Sequence, residues 1–169
     1  MNIDFIVNFI KYYGAAMVAN ALPVLIRNGT PIDRGLIWID NKRLLGDGKT
    51  WEGFAIGAIG SYLASMAISI FFNDHILFLK LWLASIIGLF GDIIESFFKR
   101  RLGIKRGDPL PIFDQIDFAI AATIFYHLIG ELKLLNDLWF IVLSFTLVVA
   151  LHLLTNFIAY ILGLKDRPW

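Results

Sequence analysis

Five apolar stretches divide the chain, near residues 4–26, 53–72, 76–97, 116–132 and 138–163. Each approaches the roughly 20 residues that a transmembrane helix requires. Apolar residues occur all around each predicted helix rather than along one stripe, as expected where lipid or another helix covers every side. The pattern therefore predicts an all-α integral membrane protein with five transmembrane helices.

The composition agrees with this prediction. The 169 residues are 58% hydrophobic and only 17% charged, and the mean hydropathy is +0.71, far more apolar than is typical of a soluble domain. The chain contains no cysteine, which excludes disulfides and cysteine nucleophiles. Internal repeats and a signal-peptide pattern are absent from the sequence, so we expect one domain over residues 1–169 with a retained first helix.

The basic residues predict an orientation in the membrane. Five lie between the first two helices, five follow helix 3 and two follow helix 5, so twelve of the fifteen share one side. The positive-inside rule then places the N-terminus outside and the C-terminus in the cytoplasm, with two long cytoplasmic loops. We expect a multi-pass protein of the plasma membrane whose functional face is cytoplasmic.

Charged residues collect where the third helix ends. Asp92, then Glu95 or Ser96, and then Lys99 follow a helical spacing and share one face. Charge at this depth costs several kcal/mol unless it is paired or binds something. Pairing of a carboxylate with Lys99 or Arg100 is the structural explanation, but Asp92 lies well inside the apolar run and favours a functional site.

Two further carboxylates open the fourth helix. Asp114 and Asp117 are three positions apart, so both can share one face over a single turn. The helix dipole accounts for one acidic residue at this place. Two carboxylates beside a basic loop also suit a hard divalent cation, particularly Mg²⁺ shared with substrate phosphate oxygens.

The loop over residues 27–50 is long for a chain of this size, which favours either function or disorder. Residues 35–39 could form a short strand or dip into the membrane interface. Residues 46–50, Gly-Asp-Gly-Lys-Thr, lack the spacing of a P-loop. Their amides, lysine and hydroxyl can still cradle phosphate ahead of a helix N-terminus, and a solvated linker is an equal alternative.

Polar and small residues inside the other helices favour packing. We interpret Asn20, close to Pro23, as part of a kink, with a polar group facing a cytoplasmic cavity as the alternative. His152 and Asn156 share a face of helix 5 and are interpreted as interhelical hydrogen-bonding groups. Small residues predict a close-packing face on helix 2 and a tightly packed neighbour for helix 3; they are Gly53, Gly57, Ser61 and Ser65, and Ala84, Gly88 and Gly91.

These features together favour phosphoryl or nucleotidyl transfer. A lipid phosphate is already anionic and needs no general base, so such an enzyme mainly positions its reactants and neutralises charge. The basic loops adjoin membrane ends and lack interleaved aromatic residues, so we predict no nucleic-acid partner.

Four segments carry a resemblance to a known family. They are Lys49-Thr50-Trp51-Glu52-Gly53, Ser96-Phe97-Phe98-Lys99-Arg100, Lys105, and Asp114-Gln115-Ile116-Asp117. In type and order they resemble the motifs of the CTP-dependent phosphatidate cytidylyltransferases, the CDP-diacylglycerol synthases. Gln115 replaces an arginine of the bacterial motif, and the His-Gly-Gly that precedes its aspartates is missing. With five predicted helices, the chain is most similar to the archaeal branch, the CDP-archaeol synthases.

The resemblance implies a reaction and a set of site residues. The archaeal branch transfers CMP from CTP to an isoprenoid ether-lipid phosphate in the membrane, 2,3-bis-O-geranylgeranylglycerol 1-phosphate. The oligomeric state of the chain stays open, and a homodimer is one alternative. Implied Mg²⁺ ligands are Asp92, Asp114 and Asp117. Implied catalytic residues are Lys99, Arg100, Asp114 and Asp117. Implied substrate-binding residues are Asn20, Gly48, Lys49, Thr50, Glu52, Ser96, Lys105 and Arg106.

Two other functions remain as alternatives. A CTP-dependent polyprenol or phytol kinase would transfer the terminal phosphoryl group to an alcohol and release CDP rather than pyrophosphate. A small ion or anion transporter would use the buried charges as a path. The clustering of charge at one membrane face favours the enzyme.

Overall fold

A computed structural model of the chain describes residues 3–105 and 107–168. Within these ranges it contains five α-helices and no β-strand, which confirms the predicted all-α class. The helices are α1 (Ile3–Ala21), α2 (Trp51–Phe71), α3 (His75–Arg101), α4 (Phe113–Leu128) and α5 (Leu138–Ile161), and a 3-10 turn, Leu22–Leu25, follows α1.

Four of the described helices are long and apolar enough to cross a membrane: α1 with its 3-10 extension, α2, α3 and α5. Helix α4 has 16 residues, about 24 Å at roughly 1.5 Å per residue, which is shorter than a hydrocarbon core of about 30 Å. Five spans were expected, but α4 stops at Leu128. Gly130 has a positive φ of 77°, and the Leu132 amide folds back to donate to the Tyr126 carbonyl oxygen.

Glycines set the spacing of the helices around α3. A methyl group at Gly57 of α2 would lie 2.6 Å from the Ala19 carbonyl oxygen, and one at Gly91 of α3 would lie 2.9 Å from the Asp117 carbonyl oxygen. A Cβ atom does not fit at either distance, so the small residue lets two backbones approach closely. The predicted packing face of α2 and the tight neighbour of α3 are confirmed, and α4 is that neighbour.

The apolar core occupies one half of the bundle. It includes Tyr13 of α1, Leu81 of α3, and Phe118 and Tyr126 of α4, all at most 2% exposed. The Tyr13 and Thr123 hydroxyl groups are 2.8 Å apart, which satisfies both buried polar groups. The cluster of described core residues contains no charged side chain. On α3 the core residues Leu77, Leu81 and Ala84 lie in the first half of the helix, whereas Asp92, Glu95 and Lys99 lie in the second half.

A single carboxylate organises the loop over residues 27–50. Asp33 is 2% exposed, and its oxygens accept hydrogen bonds from the Arg43 guanidinium and from the backbone amides of Gly35, Leu45 and Gly46. Burial raises the pKa of the Asp33 carboxyl, but the Arg43 guanidinium and the three amides together lower that pKa well below its usual range. The carboxylate therefore joins both ends of the segment that precedes α2.

The same loop docks on the end of α3 as a hairpin turn. Ile37 and Arg43 form an isolated antiparallel bridge, so residues 35–39 form no extended strand. The Trp38 ring meets the Phe97 ring edge-on at 5.8 Å, and the Lys42 ammonium donates to the Arg101 carbonyl oxygen at 2.8 Å. These contacts hold residues 45–49 above the C-terminal half of α3.

We expect Asp33→Asn to loosen the loop. The asparagine side chain carries no negative charge to face Arg43, and its NH2 group would lie against the guanidinium and backbone amides that now donate to Asp33. This substitution costs about 2 kcal/mol or more. The measurement is the rate at which trypsin cuts the folded protein at Arg34, Lys42 and Arg43, and we expect it to rise at least ten-fold.

The matched control is Asp47→Asn, because Asp47 also meets Arg43 at 2.8 Å but its side chain is 55% exposed, where an ion pair contributes little. In the unmodified protein, the pKa of Asp33 is depressed. Its contribution is therefore complete above pH of about 4 and is lost as the pH falls through the lower folded pKa. Equal cleavage of both variants would contradict the organising role of Asp33.

Candidate active site

A cavity of about 910 Å³ lies where the charged ends of the helices meet the loops. Its walls come from α1 and its 3-10 turn, α3, α4 and α5, together with loop residues 45–49 and 107–108 and the tail after α5. The lining is both charged and apolar, as a pocket for an amphipathic phosphate ester requires. The charged residues of α3 that line it are Asp92, Glu95, Lys99 and Arg100.

Lys49 reaches across from the loop to α3. Its ammonium lies 2.6 Å from an Asp92 carboxylate oxygen, and the two side chains are 22% and 24% exposed. Burial lowers the pKa of Lys49, but the Asp92 carboxylate and the neighbouring Asp117 and Glu95 raise it above its usual value. Lys49 is therefore a cation at neutral pH, held beside the carboxylates of Asp92, Glu95 and Asp117.

Lys99 links α3 to the start of α4. Its ammonium lies 2.8 Å from an Asp114 carboxylate oxygen and 3.7 Å from Glu95, and its side chain is 11% exposed. The Leu110 amide donates to the same Asp114 oxygen at 3.1 Å. The backbone turns sharply before this point, since Ile112 has a φ of 72°, a rare conformation for a β-branched residue. Asp114 thus positions Lys99 and closes the loop onto α4.

A second group of carboxylates lies deeper, between α3 and α4. Carboxylate oxygens of Asp92, Glu95 and Asp117 all lie within 4.8 Å of one another. Asp117 is 9% exposed, and one of its oxygens accepts from the Phe118 amide at 2.6 Å. The close approach of α4 at Gly91 brings Asp117 to the face that carries Asp92.

The chemistry of this carboxylate group suits a divalent cation. Buried oxygens Glu95 Oε1 and Asp117 Oδ2 find no hydrogen-bond partner among the residues that the structure describes. Unsatisfied carboxylate oxygens at this depth are costly, and Mg²⁺ prefers hard oxygen ligands that leave positions for water and phosphate. The residues present therefore fit a magnesium-type ion held by Asp92, Glu95 and Asp117.

Most of the residues expected from the sequence meet around the cavity. Asp117 lies behind the lining, in the carboxylate cluster. Asn20 contributes from α1, where its side-chain nitrogen lies 3.3 Å from His152 Nδ1. Expected residues that line the cavity itself are Asn20, Gly48, Lys49, Asp92, Ser96, Lys99, Arg100 and Asp114.

Three expected residues lie elsewhere, and one lies outside the described residues. Thr50 is the N-cap of α2, where its hydroxyl oxygen accepts from the Gly53 amide. Glu52 accepts from the Thr30 amide and hydroxyl and so fastens the loop. Lys105 is exposed and does not line the cavity. Arg106 is the expected substrate-binding residue that falls outside the described residues.

The structure also differs in how it groups the acids. The sequence placed Asp114 with Asp92 and Asp117 as metal ligands, whereas the carboxylates whose oxygens lie within 4.8 Å of one another are those of Asp92, Glu95 and Asp117. One Asp114 oxygen meets the Lys99 ammonium instead, and its other oxygen, Oδ1, is buried and finds no hydrogen-bond partner among the described residues. A spacing of three on one helix puts Asp92 and Glu95 on one face, so the sequence contained this signal. The bond from Lys99 to Asp114 depends on how the loop folds, which helical spacing does not specify.

Helix α5 and the tail contribute residues that sequence reasoning treated as packing or anchoring. His152, Thr155 and Asn156 line the cavity from α5, and Lys165 lines it from the tail. The only sequence signal for α5 was the polar face formed by His152 and Asn156. No local pattern places Lys165 there, because the tail reaches the cavity by turning back after α5.

The chain is similar in sequence to known membrane-lipid enzymes of archaea. A family model described as "CarS-like: CDP-archaeol synthase" matches residues 2–169. A CDP-archaeol synthase of Staphylothermus marinus is 44% identical over 98% of this chain and 94% of its own length. Those of Methanococcoides burtonii and Sulfolobus acidocaldarius are 37% and 39% identical, over 91% and 94% of this chain and 98% and 94% of their own lengths.

A solved structure is also similar. It is described as "an intramembrane enzyme for archaeal membrane lipids biosynthesis", has 35% sequence identity and a TM-score of 0.80, and is matched over 87% of this chain and 91% of its own. Apolar helices around a charged cavity thus define a multi-pass membrane enzyme, of the nucleotidyltransferase class. The chain belongs to the CDP-archaeol synthase family.

Family membership confirms the resemblance to the cytidylyltransferases and its archaeal branch, and it favours a transferase over the transporter. Nucleotidyltransferases generally use a divalent metal, and the acidic cluster offers a place for one. The roles of the individual site residues remain predictions.

The grouping of the acids predicts the metal affinities of two variants. Glu95→Gln removes a cluster ligand and should weaken Mn²⁺ binding at least ten-fold, as measured by electron paramagnetic resonance titration of the purified protein. Asp114→Asn changes the charge by the same amount but disrupts the contact to Lys99, so its Mn²⁺ affinity should change by less than about three-fold. The reverse order would return Asp114 to the ligand set and remove Glu95.

Proposed function

We propose that this protein transfers CMP from CTP to 2,3-bis-O-geranylgeranylglycerol 1-phosphate, which gives the CDP-activated ether lipid and pyrophosphate. The lipid phosphate oxygen forms a bond to the α-phosphorus of CTP, and the bond from that phosphorus to the bridging oxygen of the β-phosphate breaks. The electron pair leaves with pyrophosphate. The observation that carries the proposal is the cavity in which carboxylates and lysines alternate beside the membrane helices.

The charges of the cavity explain why a metal belongs to the mechanism. Four carboxylates, those of Asp92, Glu95, Asp114 and Asp117, accompany the bases of α3 and the loop. A triphosphate and a lipid phosphate bring several more negative charges, which repel one another and the carboxylates. Asp92, Glu95 and Asp117 would hold Mg²⁺. Bound there, the ion would neutralise phosphate oxygens and stabilise the charge that develops on the leaving pyrophosphate.

The residues of the chain position the reactants. Lys49 from the loop and Lys99 from α3 both line the cavity, and carboxylates hold their ammonium groups at 2.6 Å and 2.8 Å. Because these bonds fix the lysines before substrate binds, little reorganisation is needed in the transition state. Arg100 lines the same wall, and we assign it to a substrate phosphate. Ser96 and the backbone of Gly48 would donate hydrogen bonds nearby.

Other residues expected to bind substrate receive supporting roles. Thr50 and Glu52 act through the loop, since one caps α2 and the other holds Thr30. Their loss should act by moving Lys49, which directly precedes Thr50. Asn20 acts through its hydrogen bond to His152, which closes the cavity between α1 and α5. Lys105 is exposed to solvent and receives no role in substrate binding.

We expect Asp117→Asn to abolish incorporation of α-labelled CTP into lipid, because an amide cannot replace the carboxylate in the metal cluster, while the protein stays folded. The assay contains purified protein, labelled CTP, Mg²⁺ and the geranylgeranyl ether phosphate. The product released from CTP, either pyrophosphate or CDP, is identified. Pyrophosphate supports cytidylyl transfer, whereas CDP would select the kinase. A parallel diacyl phosphate tests the lipid class, and full activity on it with none on the ether lipid would overturn the archaeal assignment.

The matched control is Asp74→Asn. Asp74 caps the other end of α3 through bonds to the Ile76 and Leu77 amides, and asparagine caps almost equally well. This variant should keep nearly full activity. Turnover of Asp117→Asn at the same rate as the control would remove Asp117 from the metal site.

We also propose that the chain is a single domain of the plasma membrane with its cavity facing the cytoplasm. Its support is that both basic loops and the C-terminal tail meet at the cavity end, in agreement with the distribution of positive charge. Because the chain has no cysteine, single substitutions report topology without background. In intact cells an impermeant maleimide should label Lys133→Cys, between α4 and α5, and spare Lys105→Cys. The reverse pattern would invert the orientation.

A further inference from the structure

The tail after α5 turns back over the cavity instead of leaving the protein. Gly163 has a φ of 68°, a left-handed conformation that glycine adopts without strain. The Leu164 and Lys165 amides both donate to the Ala159 carbonyl oxygen, at 2.8 and 3.3 Å. These bonds end the helix and redirect the chain, so that Lys165 lines the same cavity as Lys49 and Lys99.

Two arginines hold the tail in this position. The Arg27 guanidinium, from the segment after α1, donates to the Gly163 carbonyl oxygen. Arg167 of the tail binds Asp108 at 2.8 Å and the Gly107 carbonyl oxygen at 3.2 Å, which connects the tail to the loop before α4. The tail therefore connects the loop between α1 and α2 with the loop between α3 and α4, across the cavity.

The surroundings of Lys165 suit an anionic ligand. Burial lowers the pKa of Lys165, the nearby Lys49 and Lys99 lower it further, and Asp114 opposes them. Lys49, Lys99 and Lys165 line one cavity, so a substrate that carries several phosphate charges can contact these ammonium groups in addition to the carboxylates that hold Lys49 and Lys99. A lysine ammonium is a strongly hydrated point charge on a flexible side chain, so it can follow a phosphate group.

We propose that Lys165 is a substrate-binding residue that contacts a phosphate oxygen of the reactants, and that the pair formed by Arg167 and Asp108 positions it. This inference rests on the proposed cytidylyl transfer. The ion pair is about half exposed on both sides, where such pairs contribute about 1 kcal/mol or less. Breaking this pair should therefore shift Lys165 without unfolding the protein.

The test compares steady-state kinetics of full-length Lys165→Gln and Lys165→Arg with the unmodified protein, with each substrate varied in turn. Lys165→Gln should raise one KM about ten-fold, as expected for loss of a charged hydrogen bond to phosphate, and Lys165→Arg should restore most of it. A change in the KM for CTP assigns the contact to the triphosphate. A change in the KM for the ether lipid assigns it to the lipid phosphate.

The control is Lys133→Gln, which removes an equal charge from an exposed position in the connection from α4 to α5. Thermal unfolding and gel filtration establish that each variant is folded. For the positioning pair, Asp108→Arg and Arg167→Asp should each raise the same KM by up to about five-fold, and the double variant should recover.

Each outcome is decisive. If Lys165→Gln keeps both KM values within two-fold of Lys133→Gln, or loses only kcat, Lys165 does not bind substrate. If Lys165→Arg fails to rescue a folded protein, the effect is not that of a cation and the proposal is also overturned. Absence of CTP turnover by the unmodified protein would instead overturn the proposed function, so the two failures are distinguishable.

Discussion

The pairing of lysines with carboxylates at the ends of membrane helices is the constraint on which the rest of this structure depends. Lys49 with Asp92 and Lys99 with Asp114 place four ionised groups in a partly desolvated region, where a charge without a counter-ion is strongly disfavoured. Each pair also joins two segments distant in sequence. The first fixes the loop before α2 to α3, and the second fixes the start of α4. The same bonds that make the charges tolerable build the walls of the cavity.

The short α4 follows from this arrangement. Its first turns present Asp114 to Lys99 and Asp117 to the cluster, while Phe118, the residue after Asp117, and Tyr126 in the last turn pack into the apolar core. Gly91 of α3 permits the backbone approach that both contacts require. A helix held at both ends need not cross the full bilayer, because protein covers its polar end. The glycine at position 91 thus sets how closely Asp117 of α4 approaches the carboxylates of α3.

Two boundaries of the cavity are held by different kinds of contact. Asp33 makes its bonds from a fully buried position, which keeps residues 45–49 close to α3. The tail is held by the ion pair of Arg167 with Asp108, which is about half exposed, and by the bond from Arg27 to the Gly163 carbonyl oxygen. The contacts of the loop with α3 and those of the tail with two other loops join segments that are far apart in the sequence, so the cavity exists only in the folded chain.

The sequence by itself determined the helical membrane class, the location of the charges and the resemblance to the cytidylyltransferases. Hydrophobic length, helical spacing and short motifs are local properties, so Asp92, Lys99 and Lys49 were identified without the fold. Only the tertiary structure decided that Glu95 lies with Asp92 and Asp117 in one carboxylate cluster, that Thr50 and Glu52 fasten a loop, and that α4 is shorter than the hydrocarbon core of a bilayer. It also decided that the tail brings Lys165 to the cavity. These outcomes depend on contacts between segments far apart in the chain. Local sequence patterns are compatible with several tertiary arrangements, and a turn at one glycine or a bond to one carboxylate selects one of them.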